Sequence, residues 1–254
     1  MTDTAAGEAA RAERGEGYAV NAPYYDLIIP RDHWNAVAAA LAGLLKEAGT
    51  IAEIGAGTGY FTRAMLESLG PDTEIFAIEP ARVMRTGLVT RLAALEPGAA
   101  ARVTVLPEDA MAADPGTPLD AVVLLNCVMH FAPDDRERLW RRWAERLRPG
   151  GLLIVEAQYP QRAEDVPASV VPGASLGRYR YETHSRAEAV GDGLVRWINT
   201  YRTLEGDALV REETAEFDCH VISDATLAAE LAAAGLRPAG PDPAEASGLH
   251  VWRR

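Results

Sequence analysis

Apolar residues in the first two thirds of the chain follow two alternating patterns. Short apolar runs, of which residues 120–125 are the most apolar, separate segments whose apolar positions recur every three or four residues. A strand buried on both faces of a parallel sheet is a continuous apolar run, whereas an amphipathic helix repeats about every 3.6 residues. The alternation therefore predicts an α/β fold with a doubly wound, mostly parallel sheet. The predicted strands begin near Ile51, Thr73, Arg102, Asp120 and Leu152.

Several helical segments are bounded by residues that favour the start or the end of a helix. Asp32 is predicted to cap a helix that stops at Gly49, and Pro80 is predicted to open the helix after the second strand. Ser223 is predicted to cap the last helix. Two closing strands, near residues 236–239 and 248–252, would complete a seven-stranded sheet whose last strand is antiparallel.

The alternation stops at residues 158–222, which we interpret as an inserted antiparallel β lid. Residues 158–177 contain several Pro and Ala and are predicted to be a loop, and residues 178–184 could form a strand. Residues 194–204 are predicted to pair with 208–221 through a tight turn at Gly206-Asp207.

Composition limits the possible classes of protein. With 254 residues, 48% of them hydrophobic and 24% charged, the chain is predicted to form one globular domain at 18–254, with an N-terminal cap at 18–49. The net charge of −12 argues against a general nucleic-acid binder. Residues 1–17 lack a long apolar run, so they are predicted to be a disordered tail rather than a signal peptide or membrane span. Two distant cysteines, Cys127 and Cys219, favour the reducing cytoplasm.

The sequence Ile51-Ala-Glu-Ile-Gly-Ala-Gly-Thr-Gly59 predicts a buried strand that enters a glycine-rich turn and then a helix. Glycines allow positive φ and let a ligand approach the backbone. Dinucleotide-binding proteins use G-x-G-x-x-G, but the third glycine of that pattern would fall on Tyr60. A glycine-rich turn without a ligand remains an alternative on this motif alone.

The segment Glu53-Ile-Gly55-Ala-Gly57-Thr-Gly59 resembles motif I of the class I S-adenosylmethionine (SAM)-dependent methyltransferases. The resemblance implies that Glu53 lies near the methionine amino group, that Met84 packs on the adenine and that Asp109 accepts from its exocyclic amine. Glu79 follows the second strand, 24 residues after Gly55, where a carboxylate can accept hydrogen bonds from both ribose hydroxyls. The cofactor-binding residues implied in this way are Tyr18, Glu53, Gly55, Ala56, Gly57, Gly59, Glu79, Pro80, Met84, Asp109, Ala110 and Asn126.

Most of these residues are predicted to lie at the carboxyl ends of parallel strands, where the ligand crevice of such a sheet opens. A base is needed only if the acceptor must lose a proton. His130, after the fourth strand, is the first candidate, because the ordinary pKa of imidazole is about 6.5; a histidine packed on the next helix is the alternative. Tyr18 and Tyr24 from the cap are the other predicted catalytic residues. His33, His184 and Glu156 could also line the pocket.

The absence of two motifs limits the classes of acceptor molecule. Asn126-Cys127-Val128-Met129 lacks both the Pro-Pro-aromatic run of amino-group DNA methyltransferases and the Pro-Cys nucleophile of cytosine C5 enzymes. Cys127 is therefore interpreted as a small buried side chain. No second acidic residue accompanies Asn126, so no metal is expected. A small-molecule acceptor remains, with lid side chains as possible pocket walls (Tyr159, Arg178, Tyr179, Tyr181, Trp197 and Tyr201).

The composition and the resemblance indicate a cytoplasmic enzyme of bacterial secondary metabolism, such as antibiotic biosynthesis, acting as a monomer or homodimer without a nucleic-acid or membrane partner. Whether N, O or C is methylated stays open. Two alternatives remain: a protein that binds SAM without transferring its methyl group, and an NAD-dependent oxidoreductase. Tyr60 and the absence of a Tyr-x-x-x-Lys pair disfavour the oxidoreductase.

Overall fold

The computed structural model describes residues 17–191, 193–239 and 248–254. Residues 1–16 of the predicted tail lie outside the described residues, whereas Gly17 is helical and buried. The helices are α1 (17–25), α2 (Arg31–Leu44), α3 (Tyr60–Ser68), α4 (Arg82–Ala93), α5 (Pro97–Ala100), α6 (Pro133–Arg146) and α7 (Asp224–Ala233). A 3₁₀ turn covers Val128–His130. The strands are β1 (Thr50–Ile54), β2 (Glu74–Ile78), β3 (Val103–Leu106), β4 (Leu119–Leu124), β5 (Leu147–Glu156), β6 (Val166–Leu176), β7 (Tyr179–Gly191), β8 (Leu194–Glu205), β9 (Ala208–His220), β10 (Arg237–Pro238) and β11 (Leu249–Arg253).

The larger sheet has seven strands in the order β10-β11-β5-β4-β1-β2-β3. Strands β1 to β5 pair in parallel, and β11 is antiparallel to both β5 and β10. This arrangement confirms the predicted doubly wound sheet with an antiparallel last strand. The order reverses between β1 and β4, so the ligand crevice of this fold is expected at their carboxyl ends.

Hydrophobic clusters on both faces hold the sheet in place. One face packs around Trp140 and Trp143 of α6, and the other around Leu41 of α2 and Met65 of α3, all of which are almost fully buried. Burying each large side chain stabilises the fold by about 1.5–3 kcal/mol before entropy is counted. The central position of β4 explains why its sequence is the most apolar run.

The second sheet has four antiparallel strands in the order β6-β7-β8-β9. The predicted pairing of residues 194–204 with 208–221 is present as β8 with β9. The predicted loop at 158–177 is wrong in its second half, because Val166–Leu176 pairs with β7. Pro167 and Pro172 disguised this strand in the sequence; a sheet edge tolerates prolines because one side of its backbone needs no ladder partner.

Two predicted helix starts are shifted. Asp32 lies in the first turn of α2, and Pro30 occupies the capping position. The helix after β2 begins at Arg82 rather than at Pro80, because Ala81 is extended and its N–H donates to the Glu79 carboxylate. The Ser223 cap is confirmed, since its hydroxyl accepts from the N–H of Thr226. No helix in the described part of the chain is long and apolar enough to cross a membrane.

Candidate active site

The glycine-rich turn is held against the end of β2. The N–H groups of Gly55 and Ala56 both donate to the carbonyl of Ile78, at 2.9 and 3.0 Å. Gly55 has a φ of 73°, and a Cβ placed on it would lie 2.9 Å from Cβ of Cys127. Glycine is therefore required at 55 both by conformation and by the close approach of the residue after β4.

The carboxylate of Glu79, 6% exposed, lies at the tip of β2 between two backbone donors. Oε2 accepts from the N–H of Gly57 at 2.7 Å, and Oε1 accepts from the N–H of Ala81 at 2.8 Å. Burial raises the pKa of Glu79, while the two amides and the nearby Arg85 guanidinium oppose the rise. Each carboxylate oxygen retains a further lone pair, so the group can also accept hydrogen bonds from a diol.

Glu53, at the penultimate position of β1, is the second buried carboxyl group of the turn. It is 3% exposed, and Oε2 accepts a 2.5 Å hydrogen bond from the hydroxyl of Thr62. Burial, with a smaller contribution from Glu79, raises its pKa to about 8. An ammonium group next to Glu53 would favour the ionised form, which makes the position suited to a cationic ligand group.

The remaining residues predicted to bind the adenosine lie around the ends of β2 and β3. Met84 is 2% exposed, with Cε 3.7 Å from a Cβ built on Gly57. Oδ1 of Asp109 accepts from the N–H groups of Met111 and Ala112, so this carboxylate orders its own turn. Ala110 is buried, whereas Pro80 is exposed.

An open cleft of about 350 Å³ lies above the turn. Glu53, Gly55, Ala56, Gly57 and Asn126, five of the predicted cofactor residues, contribute to its walls. The other residues of the cleft were not among the predicted site residues; they are Tyr25, Trp34, Ile54, Thr58, Tyr60, Phe61 and Leu125.

Aromatic side chains from α2 and α3 form one wall of the cleft. The ring of Trp34 lies 4.7 Å from that of Tyr60 and 4.8 Å from that of Phe61. Tyr60, which occupies the third glycine position of the dinucleotide motif, also donates to Asn35 at 2.8 Å. The cluster was not assigned because Trp34 lies 26 residues before Tyr60 in the sequence.

Tyr25, at the end of α1, lines the cleft near the end of β4. Its side chain is hydrogen-bonded to Asn126, and burial raises its pKa well above the usual range, with Glu156, Asp26 and Glu79 adding to the rise. Asn126 has a positive φ of 49°, which is unusual for a residue with a side chain. The Tyr24-Tyr25-Asp26 run was the available signal, but it could not show which tyrosine faces the cleft.

Two predicted catalytic residues are brought together across 112 positions of sequence. The hydroxyl of Tyr18 lies 2.7 Å from Nε2 of His130, the last residue of the 3₁₀ turn that follows β4. The two rings meet edge to face at 5.9 Å. Burial raises the pKa of Tyr18 well above its ordinary value, so this tyrosine keeps its proton at neutral pH.

Tyr24 lies away from this pair. Its ring stacks on Tyr201 at 5.0 Å, and its hydroxyl donates to Glu213 at 2.7 Å. The contacts fasten α1 to the second sheet. Of the other titratable groups considered, His33 lies 3.0 Å from Glu156, whereas His184 bonds to Glu182 and Arg202 on the face of the lid directed away from α1.

Asp26 joins the segment after α1 to the glycine-rich turn. Oδ1 accepts from the hydroxyl of Thr58 at 2.7 Å, and Oδ2 pairs with Arg91 of α4. The next residue, Leu27, accepts from the N–H of Ala174 in β6. The segment therefore connects the cofactor turn, α4 and the second sheet.

A match to a family model identifies a domain within this architecture. Residues 52–153, from β1 into β5, match the family model described as a methyltransferase domain. The chain contains a class I SAM-dependent methyltransferase domain. No curated protein matches this chain.

Solved structures share the fold of this methyltransferase at low sequence identity. SAM-bound CalS10, described as an amino pentose methyltransferase from Micromonospora echinaspora, aligns with a TM-score of 0.69 and 21% identity over 87% of this chain and 91% of its own. The sugar N-methyltransferase KedS8 from Streptoalloteichus sp. aligns with a TM-score of 0.67 and 22% identity, over 86% of this chain and 87% of its own. DesVI from Streptomyces venezuelae aligns with a TM-score of 0.70 and 21% identity, over 92% of this chain and 96% of its own.

The residues of the methyltransferase fit its cofactor. Glu79 supplies two carboxylate oxygens for a diol, Glu53 supplies a buried acid for an ammonium, and the glycines at 55 and 57 leave backbone free of side chains. Within the described residues, no group of three or more His, Cys, Asp or Glu side chains is placed to hold a metal ion. Independence from metal ions stays a prediction.

Proposed function

We propose that this methyltransferase transfers the methyl group of SAM to an amino nitrogen of a small molecule in bacterial secondary metabolism. The single observation that carries the proposal is the 2.7 Å contact between Tyr18 and His130 in the turn that follows β4. CalS10 and KedS8 support it, because their descriptions name an amino pentose methyltransferase and a sugar N-methyltransferase. The net charge of −12 argues against a nucleic-acid acceptor.

The proposed cofactor contacts follow from the groups around the glycine-rich turn. Glu79 accepts hydrogen bonds from the ribose hydroxyls, and Glu53 pairs with the methionine ammonium. Met84 and Asp109 hold the adenine, while the bare backbone of residues 55–57 leaves room for the methionine portion. When bound, SAM supplies an electrophilic methyl group on a positively charged sulfur.

The proposed proton path runs through the Tyr18–His130 pair. An amine is protonated in neutral water and must lose a proton before its lone pair can attack. The Tyr18 hydroxyl accepts that proton from the acceptor nitrogen while it passes its own proton to Nε2 of His130, so the proton ends on the imidazole and Tyr18 stays neutral. Aligning the reacting groups and excluding water lower the barrier further.

The electrostatic surroundings favour a cationic acceptor. Glu156, Asp26 and Glu79 are the acidic groups that raise the pKa of Tyr25, so all three act on the part of the crevice that Tyr25 covers. Arg91 offsets Asp26, and the half-exposed His33 lies beside Glu156. The remaining negative charge attracts an ammonium group more strongly than a carboxylate or a phosphate.

Methyl transfer from radiolabelled SAM into paired small amines and alcohols tests this proposal. Label is expected on nitrogen, with mass spectrometry locating it. Label found only on oxygen or carbon would contradict the proposal that the acceptor atom is an amino nitrogen. Tight S-adenosylhomocysteine binding without transfer to any acceptor would favour the alternative of a SAM-binding protein that does not methylate.

A further inference from the structure

The four-stranded sheet has an inner face that α1 covers incompletely. Thr183, Ser185 and Ala187 of β7 point to this face, and their partners across β8 are Tyr201, Asn199 and Trp197. Tyr24 of α1 stacks on Tyr201, and Tyr18 lies 5.4 Å from the ring of Phe217 in β9. The helix therefore runs across the face from β8 to β9.

Burial along this face changes over a short distance. Thr183, Ala187 and Tyr201 are 3%, 2% and 1% exposed. Ser185, Trp197 and Asn199, which lie among them, are only half-buried. We call these three residues the inner-face patch. Together with the exposed Ser169, which lies opposite Ser185 in β6, they leave an accessible surface beside the buried part of the face.

Hydrogen bonds order the patch. The hydroxyl of Ser185 donates to Oδ1 of Asn199 at 2.6 Å. Asn199 lies next to Tyr201 on the same face of β8 and lowers the pKa of that hydroxyl, which fits an amide nitrogen directed towards it. Burial has the larger, opposite effect on the pKa, so Tyr201 remains a neutral donor. The amide nitrogen has two hydrogens and can donate the second to a ligand.

The face that carries the patch is connected to the methyl-transfer site through two elements. Tyr25, which lines the cofactor cleft, interacts electrostatically with Tyr201, the residue of β8 next to Asn199 on this face. Strand β9, the neighbour of β8, packs against the 3₁₀ turn that ends at His130. The inner face of the second sheet therefore lies on the same side as the cofactor cleft and the proposed base.

The chemistry of the patch is neutral and directional. An indole presents an apolar face, while a hydroxyl and an amide offer donors and acceptors at fixed positions. The opposite face of β8 is different, because Arg196 pairs with Asp218 and Arg202 pairs with Glu212. A neutral aromatic and amide surface suits a ring with hydroxyl groups better than an anionic or purely apolar ligand.

We propose that Ser185, Trp197 and Asn199 form an acceptor subsite that binds the hydroxyl groups of a saturated ring, and so select a hydroxylated cyclic amine. The inference rests on the proposed function, because it names the acceptor of the same site. Trp197 covers the C–H face of the ring, and Asn199 bonds a ring hydroxyl. The amide is held in place by Ser185.

The test measures methyl transfer to cyclic amines with and without ring hydroxyls, for example methyl glycosides of aminohexoses and cyclohexylamine. For the hydroxylated amine, Asn199→Ala and Ser185→Ala are expected to raise KM about tenfold, equivalent to about one net hydrogen bond. kcat and the affinity for S-adenosylhomocysteine stay near wild type. Thr200→Ala, on the opposite face of β8, is the matched control and leaves all values unchanged.

A preference for hydroxylated rings that Asn199→Ala removes would support the subsite. Equal rates with both amines, equal losses for both, or no methylation of any hydroxylated amine would overturn it. N-methylation of both amines, with no effect of Asn199→Ala on the KM for the hydroxylated amine, would refute the subsite and leave the proposed function standing. Methylation restricted to ring oxygens, with KM still dependent on Asn199, would refute only the proposed function.

Discussion

The cofactor side and the acceptor side of the crevice are assembled in different ways. On the cofactor side, the glycine-rich turn and Glu79 come from two consecutive strand-turn-helix units. On the acceptor side, Tyr18 meets His130 across 112 positions, and Tyr24 meets Glu213 across 189. Local sequence therefore specifies the proposed cofactor site, whereas the proposed acceptor site depends on how α1 and the second sheet dock.

The residues of the two sides are also held in place by different kinds of contact. Cofactor groups are held by hydrogen bonds to the backbone of the central sheet, as with Glu79, Gly57 and Ala81. Acceptor groups are held by side chains from separate elements, such as the Tyr24 stack on Tyr201. Substitutions on the two sides should therefore change different kinetic constants.

The largest expected effect belongs to the acceptor side. His130→Gln removes the proposed proton acceptor, so kcat should fall about 100-fold or more while affinity for S-adenosylhomocysteine stays constant. Single-turnover rates and calorimetry separate the two quantities. His184→Gln, on the opposite face of the lid, is the control. A kcat within threefold of wild type, or an equal loss of cofactor affinity, would remove His130 from the reaction.

The reciprocal experiment addresses the cofactor side. Glu79→Ala should weaken S-adenosylhomocysteine binding by about 1–3 kcal/mol, because it removes the carboxylate that we propose accepts from the ribose. Glu74→Ala, at the exposed start of the same strand, should leave binding unchanged. Calorimetry gives both affinities, with circular dichroism as a check on folding. Wild-type affinity in Glu79→Ala would eliminate the ribose contact.

Asp26→Asn is expected to affect both sides, because Asp26 bonds to Thr58 of the glycine-rich turn and pairs with Arg91. Losing the charge should weaken cofactor binding and raise the acceptor KM together, each by about threefold to tenfold. Steady-state kinetics with both substrates gives the two changes. Asp32→Asn, in the first turn of α2, controls for the loss of a nearby charge. A change confined to one constant would show that the segment does not connect the two sides.

The smallest expected effect is the pH dependence of stability. Burial raises the pKa of Glu53 to about 8, above the ordinary 4.5, so the folded state binds a proton that the unfolded chain has lost between these pH values. The stability contributed by this proton is complete below pH 4.5 and is lost as pH approaches 8. Without ligand, the Tm of wild type should fall more than that of Glu53→Gln from pH 5 to 8. Parallel Tm curves would contradict the raised pKa.

The sequence was sufficient to predict the main sheet, because apolar runs and helical periodicity are local properties. It also predicted the glycine-rich turn and the carboxylate after β2, since the carboxyl ends of parallel strands always share one edge. Strand β6 was missed because prolines conceal an edge strand whose partner lies beyond the next turn. Trp34 was missed as a cleft residue, and Tyr25 was not distinguished from Tyr18 and Tyr24, because nothing local shows which face of the cap meets the core.

By itself, the sequence determined the methyltransferase domain, since each of its signals lies within one strand-turn-helix unit whose geometry follows from local chemistry. Only the tertiary structure decided that Tyr18 meets His130, that Asp26 bridges the cap to Thr58, and that Ser185, Trp197 and Asn199 are accessible together. These contacts join segments far apart in the chain. Their formation depends on the packing of α1 between the two sheets, which a linear pattern does not encode.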